Sequence, residues 1–271
     1  MKKYMSIMML ATRGSLYKAL GAMLLMGLAQ VGVYYAALRS ALADREAELQ
    51  EQLLHPEYGT WEIPYPSLET ILEEGLLGGW ITIATIWIVG FVLVAYLLAT
   101  AGNPLKGGNS STRLTIQRMP MKEWKISLCY AVYNFAVMII FWAFSILVAL
   151  LICKLYYDQA DPNSYGSQSV FLMFYRNDLM HGLLPLAETL KYIRNIVLFA
   201  ATGVMASSFD FWNRRGKRNF WTIIAFLVIA AAIPKGLGTG GSDVMWTVVF
   251  AFAAGAEIYR MASQLEDEDQ A

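Results

Sequence analysis

Six long apolar stretches, separated by loops of alternating charge, constrain this chain more than any other feature of its sequence. A helix needs roughly 20 apolar residues to cross a hydrocarbon core ~30 Å thick, with ~17 as a lower limit. The last two stretches lie at the short edge of that range. The stretches are 18–38, 76–101, 126–153, 191–209, 219–234 and 244–259. The pattern predicts an all-α, polytopic membrane protein with six transmembrane helices.

The charges of the loops predict how these helices are oriented. Basic residues dominate before the first span, after the second and after the fourth, whereas the loop between spans one and two is acidic. Short loops rich in lysine and arginine stay in the cytoplasm. We therefore expect both termini to be cytoplasmic, in a multi-pass protein of the cell membrane.

Composition narrows the function classes further. The chain is 57% hydrophobic and its formal net charge is zero. Topology accounts for its basic loops, so no nucleic-acid partner is expected, and the lipid bilayer is the expected surrounding. Cys129 and Cys153 lie nearly the full length of the third span apart and cannot pair within one straight helix. We expect no disulfide framework, metal cluster or cofactor.

No linker divides the chain, so 1–271 is predicted to form a single six-helix transmembrane domain. The segments around the spans are an interfacial amphipathic helix at 1–17, external inserts at 39–75 and 154–190, a cytoplasmic coupling elbow at 102–125, and an acidic tail at 260–271. The residues Ala41-Leu42-Ala43 mimic a signal-peptide cleavage site. The first apolar run exceeds the 7–15 residues typical of a signal peptide, which favours a retained span.

The second insert carries a predicted external helix at 168–186. A gate or substrate-entry element and an interfacial packing helix both fit this segment. His181 lies one turn from Asp178, which favours a local ion pair over a proton relay.

Polar side chains are few within the predicted spans, the main ones being Gln30, Asn134, Ser145 and Thr202, with Glu257 near the end of the sixth. Charged residues inside a membrane usually mark ion or proton pathways. Their scarcity argues against a proton-coupled transporter or an ion channel. Gln30 and Asn134 are predicted to form hydrogen bonds between helices.

The elbow before the third span combines basic and apolar residues. Pro120 suits the first turn of a helix that continues into the span and presents Lys122, Glu123 and Lys125 to the cytoplasm. Docking onto a soluble partner requires such a surface. The residues by themselves favour the alternative of an ordinary basic loop, present for topology alone.

The pattern Arg113-Leu-Thr-Ile-Gln-Arg-Met-Pro-Met-Lys-Glu-Trp-Lys125 resembles the coupling region of type-two ATP-binding-cassette (ABC) exporter permeases. In that family a segment of the form R-x-L-P, followed by a small or apolar and then a basic residue, precedes the third of six spans. The resemblance implies a separate ABC ATPase subunit and a second permease copy or homologue. It places these residues near the ATPase: Arg113, Arg118, Met119, Pro120, Met121, Lys122, Trp124 and Lys125.

The chain differs from that family in its external loops. Family members usually carry a re-entrant hairpin between spans five and six, where only 234–241 is available here, and the insert instead precedes span four. The alternative hypothesis is a non-transporting membrane scaffold or accessory subunit.

The sequence predicts no catalytic site. Glu73-Glu74 is similar to the glutamate pair of some intramembrane proteases, but Gly78 stands where that motif has arginine. The run Gly236-Leu-Gly-Thr-Gly-Gly241 lacks the Lys-Ser or Lys-Thr of a phosphate loop. Any ATP is therefore expected to be hydrolysed by another chain.

Overall fold

The computed structural model describes residues 2–54, 65–68, 70–71, 79–100, 121–159, 175, 177–186, 188–217, 219–234 and 240–269. Within these ranges the regular elements are all helical and no strand occurs, as predicted. The helices are α1 (Lys2–Leu54), α2 (Gly79–Ala99), α3 (Glu123–Gln159), α4 (Asp178–Leu183), α5 (Thr189–Arg214), α6 (Trp221–Ala232) and α7 (Gly240–Asp269).

Five of these helices, namely α1, α2, α3, α5 and α7, are long and apolar enough to cross a membrane. They support the prediction of a multi-pass helical membrane protein. The predicted fifth span contains only α6, which has 12 residues. At 1.5 Å per residue α6 is ~18 Å long, shorter than the hydrocarbon core of a bilayer.

Prolines mark where the helices stop. None of the eight prolines falls within a helix of the described residues. Pro185 follows the end of α4 and Pro234 follows that of α6, because proline removes a backbone donor and clashes with the preceding turn. The 53 residues of α1 contain none. This helix therefore joins the segment 1–17, the first span and the beginning of the insert 39–75 without a break.

The first three spanning helices pack through polar contacts and aromatic rings. Gln30 Nε2 of α1 donates to the Ile83 carbonyl oxygen of α2 at 3.2 Å, which confirms the predicted bond between helices. Trp87 Nε1 of α2 donates to Ser145 Oγ of α3 at 3.0 Å. The Trp87 ring also packs against Phe141, with centroids 5.6 Å apart. These contacts join α1, α2 and α3 in the core.

Helices α3 and α5 run antiparallel and touch at their backbones. A Cβ at Gly203 of α5 would lie 2.8 Å from the Phe135 backbone nitrogen of α3, so only glycine allows this approach. Asn134 Nδ2 donates to the Gly203 carbonyl oxygen at 3.5 Å, again a bond between helices as predicted. Nearer the start of α3, Ser207 Oγ donates to the Ser127 carbonyl oxygen.

Helices α5 and α7 run parallel, because contacts near both ends join residues with the same separation in sequence. Arg194 pairs with Asp243 and Ser208 with Glu257, each 49 residues apart. The chain must therefore return across the bundle between α5 and α7, and α6 lies in that connection. We call the end where α3 begins and α5 finishes the elbow end, and the opposite end, where α5 and α7 begin, the far end.

Candidate functional site

Four of the predicted docking residues lie among the described residues, at the elbow end. Lys122 and Lys125 are exposed, Met121 is half-buried against the core, and Trp124 packs on a cluster formed by Phe211, Trp212 and Met261. The other four predicted residues, Arg113, Arg118, Met119 and Pro120, lie outside the described residues. Lys122 and Lys125 therefore lie at the beginning of α3, which packs against α5 and α7 through Trp124.

Glu123, the first residue of α3, joins the elbow to the end of α5. Its Oε1 lies 3.2 Å from Arg214 Nη1, and its Oε2 lies 3.1 Å from Arg215 Nη2. The Arg214 side chain is 3% exposed. A buried guanidinium must be paired, because an uncompensated buried charge costs several kcal/mol. Glu123 therefore fixes the position of the elbow relative to α5.

Arg214 has a second acidic partner on its own helix. Asp210, one turn earlier, is buried, and its Oδ2 lies 3.2 Å from Arg214 Nη2. Arg214 Nε also donates to the Asp210 carbonyl oxygen at 3.3 Å. One arginine is thus shared by an acid from the elbow and an acid from α5.

Glu257 extends this arrangement to α7. Its Oε2 accepts hydrogen bonds from Ser208 Oγ at 2.6 Å and from Trp212 Nε1 at 3.3 Å. Its Oε1 lies 3.0 Å from Arg260 Nη1 on the same helix. The elbow end is therefore a cluster of charged and polar groups that joins α3, α5 and α7.

Glu123 and Glu257 were singled out from the sequence, but the ion pairs that they form with Arg214, Arg215 and Arg260 were not predicted. The signal was present: Glu123 is the one acid of the basic segment 106–125, and Asp210 the one acid beside the basic turn 213–218. A lone acid in a basic segment predicts an ion pair, within the segment as for Asp210 or between segments as for Glu123. Both acids contact Arg214.

The far end holds a buried ion pair that sequence reasoning also missed. Arg194 Nη1 of α5 lies 2.6 Å from Asp243 Oδ1 in the first turn of α7. Arg194 Nε donates to Asn195 Oδ1 at 3.3 Å, and Asn195 Nδ2 donates to the Gly182 carbonyl oxygen of α4 at 2.8 Å. Arg194 falls within the predicted span 191–209, so that span does contain an ionisable side chain. Its charge is paired.

Helix α4 is the described part of the external helix predicted at 168–186. Trp142 Nε1 of α3 donates to the Leu183 carbonyl oxygen at 2.8 Å, and a Cβ at Gly182 would collide with the Ile233 carbonyl oxygen after α6. His181 Nε2 lies at hydrogen-bond distance, 3.2 Å, from Glu188 Oε1, so its acidic neighbour is Glu188 and not the predicted Asp178. Lys191 is the other partner of Glu188, and its hydrogen bond is the main cause of the lowered pKa of that carboxyl.

The described residues contain neither a disulfide bond nor a cluster of metal-binding side chains. Cys129 and Cys153 are free thiols. No group of three or more His, Cys, Asp or Glu side chains in those residues could hold a metal ion.

Comparison of the chain with protein-family models, with curated proteins and with solved structures found no match.

Proposed function

We propose that the chain is the membrane-spanning permease subunit of an ABC-type exporter in the cell membrane. A separate ATPase subunit would bind the elbow and hydrolyse ATP, and this chain would carry no catalytic site. Substrate would move by alternating access at the seam with a second permease copy or a homologue.

The proposal includes six spans with both termini in the cytoplasm. The parallel course of α5 and α7 supports a crossing by the segment that contains α6. A short span can be accommodated by local thinning of the bilayer at modest cost. Exposed basic residues, including Arg13, Lys122, Lys125 and Lys217, lie toward the elbow end, as the positive-inside rule requires of a cytoplasmic side.

The observation that carries the proposal is the double ion pair of Glu123 with Arg214 and Arg215. A force that an ATPase applied to Lys122 and Lys125 would act on the residues next to Glu123. Arg214 would pass it to α5, and the Glu257 hydrogen bonds would pass it to α7. Rigid helices joined by ion pairs can carry such coupling between distant sites.

The aromatic core favours a seam between subunits over a path through one bundle. Phe91 lies with its ring centroid 5.5 Å from Trp87, 5.8 Å from Phe141 and 6.1 Å from Phe199. Together these side chains, all buried, occupy the space between α2, α3 and α5.

The test is affinity purification of the tagged chain from its native membranes in mild detergent, followed by mass spectrometry and an ATPase assay. We expect an ABC ATPase subunit to be recovered with the wild-type chain and lost from the K122E/K125E variant. The matched control is R39E/K154E, which reverses two exposed charges toward the far end and should retain the ATPase.

Recovery of the chain without any ATPase, from membranes in which it is intact, would refute the exporter hypothesis and favour a scaffold or accessory subunit. Equal loss of the ATPase from both double variants would refute the elbow as the docking surface.

A further inference from the structure

Trp212, near the end of α5, is flanked by two cations from different parts of the chain. Lys217 Nζ lies 5.3 Å from the centroid of its ring, and Arg260 Cζ of α7 lies 5.7 Å from it. Cations at such distances are attracted by the face of an indole ring. Because the indole N–H donates to Glu257, the ring is fixed between α5 and α7. Two positive side chains are thus held at one place on the elbow end.

The turn that ends α5 brings Lys217 back to Trp212. Gly216 has a φ of 78°, in the left-handed region that favours glycine. Its N–H donates to the Asn213 carbonyl oxygen at 3.1 Å, while the Lys217 N–H donates to the Trp212 carbonyl oxygen at 3.0 Å. This pair of bonds is the Schellman motif of helix ends. The local sequence therefore determines where Lys217 lies.

The two cations together exceed the acid beside them. Glu257 pairs with Arg260, whose side chain remains 62% exposed. Within the part of the chain that the structure describes, no ion pair joins the exposed Lys217 to an acid. The site can therefore accept one further negative charge.

Exposed aromatic residues lie close in sequence to both cations. Phe220 and Trp221 follow the turn and are 64% and 77% exposed, and Tyr259 precedes Arg260 and is 72% exposed. Aromatic side chains gather at the level of lipid headgroups, where one part of the ring meets acyl chains and another meets water. Cations among such rings match a phosphate above acyl chains better than they match a soluble protein.

We propose that Lys217 and Arg260 form, around Trp212, a binding site for the phosphate of an anionic phospholipid at the elbow end. Basic residues at a membrane surface attract anionic headgroups. The site goes beyond the proposed function and does not depend on the ATPase. It uses other side chains than the proposed docking lysines Lys122 and Lys125, and it would hold the end of α5 to α7 through one lipid.

The experiment titrates the purified full chain, in detergent micelles, with dioleoyl phosphatidylglycerol and separately with dioleoyl phosphatidylcholine. Native mass spectrometry measures the dissociation constant of each lipid. We expect the K217Q/R260Q variant to bind phosphatidylglycerol about tenfold more weakly than the wild-type chain. The K217R/R260K variant keeps both charges and should bind as the wild type does, which separates a lost site from a lost fold.

The matched control is R13Q/K18Q, which also removes one arginine and one lysine, both exposed on α1 toward the elbow end. It should change the affinity by less than about threefold. Equal weakening by both double variants, or by neither, would overturn the site. So would equal affinity for the two lipids. Displacement of the lipid by millimolar inorganic phosphate would reassign the site to a free ion. If the K217Q/R260Q variant binds lipid as the wild type does but loses the ATPase subunit in the affinity purification, the site would be reassigned to protein docking.

Discussion

Arg194 and Asp243 form an ion pair in which Nη1 of the guanidinium lies 2.6 Å from Oδ1 of the carboxylate, with the two side chains 0% and 6% exposed. This pair joins α5 to α7 at the far end. At the elbow end Glu257 joins the same two helices in the same register. Because the helices are tied at both ends, we expect α5 and α7 to move as one unit.

The D243N substitution should destabilise the protein by about 3–5 kcal/mol, because it leaves the buried Arg194 charge uncompensated. The measurement is unfolding of the purified protein in mixed micelles. The R194M/D243L double variant should lose less stability than the R194M and D243L single variants lose together. As a control, D178N changes an exposed aspartate in the first turn of α4 and should have little effect. Equal effects of D243N and D178N would contradict the structure.

The G203A substitution should cost about 1–3 kcal/mol, because the new Cβ would meet backbone atoms of Ala131 and Phe135 that cannot move aside. Helices α3 and α5 would then separate and weaken the bond from Asn134. The matched variant is G255A, since nothing lies within 4 Å of a Cβ at Gly255. In α7 this change should be neutral or stabilising by up to about 1 kcal/mol. Chemical unfolding of both variants checks the difference, and an equally mild G203A would be inconsistent with backbone contact.

Acid should weaken the contacts that Glu188 makes with Lys191 of α5 and His181 of α4 at the far end. The hydrogen bond from Lys191, assisted by the one from His181, lowers the pKa of Glu188 below its ordinary value of 4.5. A lowered pKa means that the stabilisation is complete above that ordinary value and is lost as the pH falls through the folded-state pKa. Because Glu188 is half exposed, solvent limits the effect to about 1 kcal/mol or less.

Unfolding temperatures between about pH 3 and pH 6 test this prediction. The wild-type chain should lose more stability on acidification than E188Q, which cannot titrate at this position. Identical pH profiles of the two proteins would rule out a contribution from Glu188.

The E123Q substitution should loosen the elbow locally. It removes the ion pairs with Arg214 and Arg215, of which the first is largely buried, and we expect a loss of about 1–2 kcal/mol. Hydrogen exchange should accelerate in the last turn of α5 and the first turn of α3, with no change in the middle of either helix. E46Q, at an exposed acid of α1, is the control. Unaltered exchange at the end of α5 in E123Q would show that the ion pairs carry no local stability.

The G216A substitution should cost about 1–2 kcal/mol, because alanine is strained in the left-handed conformation of the turn. It should also displace Lys217 from Trp212 and weaken binding of phosphatidylglycerol. Thermal unfolding and the lipid titration measure the two effects. G21A, at a position with open space and no positive φ, is the control and should not destabilise. Full lipid affinity in G216A would show that the turn does not position Lys217.

Much of the fold follows from local sequence. Apolar length predicted the helices that are able to span a membrane, and prolines mark where helices end. Gln30 and Asn134, as isolated amides in apolar helices, were correctly expected to bond to neighbouring helices. These features could be predicted because each depends on a single segment: a helix satisfies its own backbone, and an apolar surface long enough to span a bilayer is visible in one run of residues.

The site depends on contacts that no single segment reveals. Glu123 and Arg214 are 91 residues apart, and Arg194 and Asp243 are 49 apart. Their charges could be placed on a loop or a helix from the sequence, but not paired, because pairing requires the order and direction of the packed helices. The partner of His181 could not be predicted for the same reason. Local chemistry determined which segments are helical and apolar, whereas packing decided which buried charges neutralise one another, because only in the folded bundle must each of them find a partner.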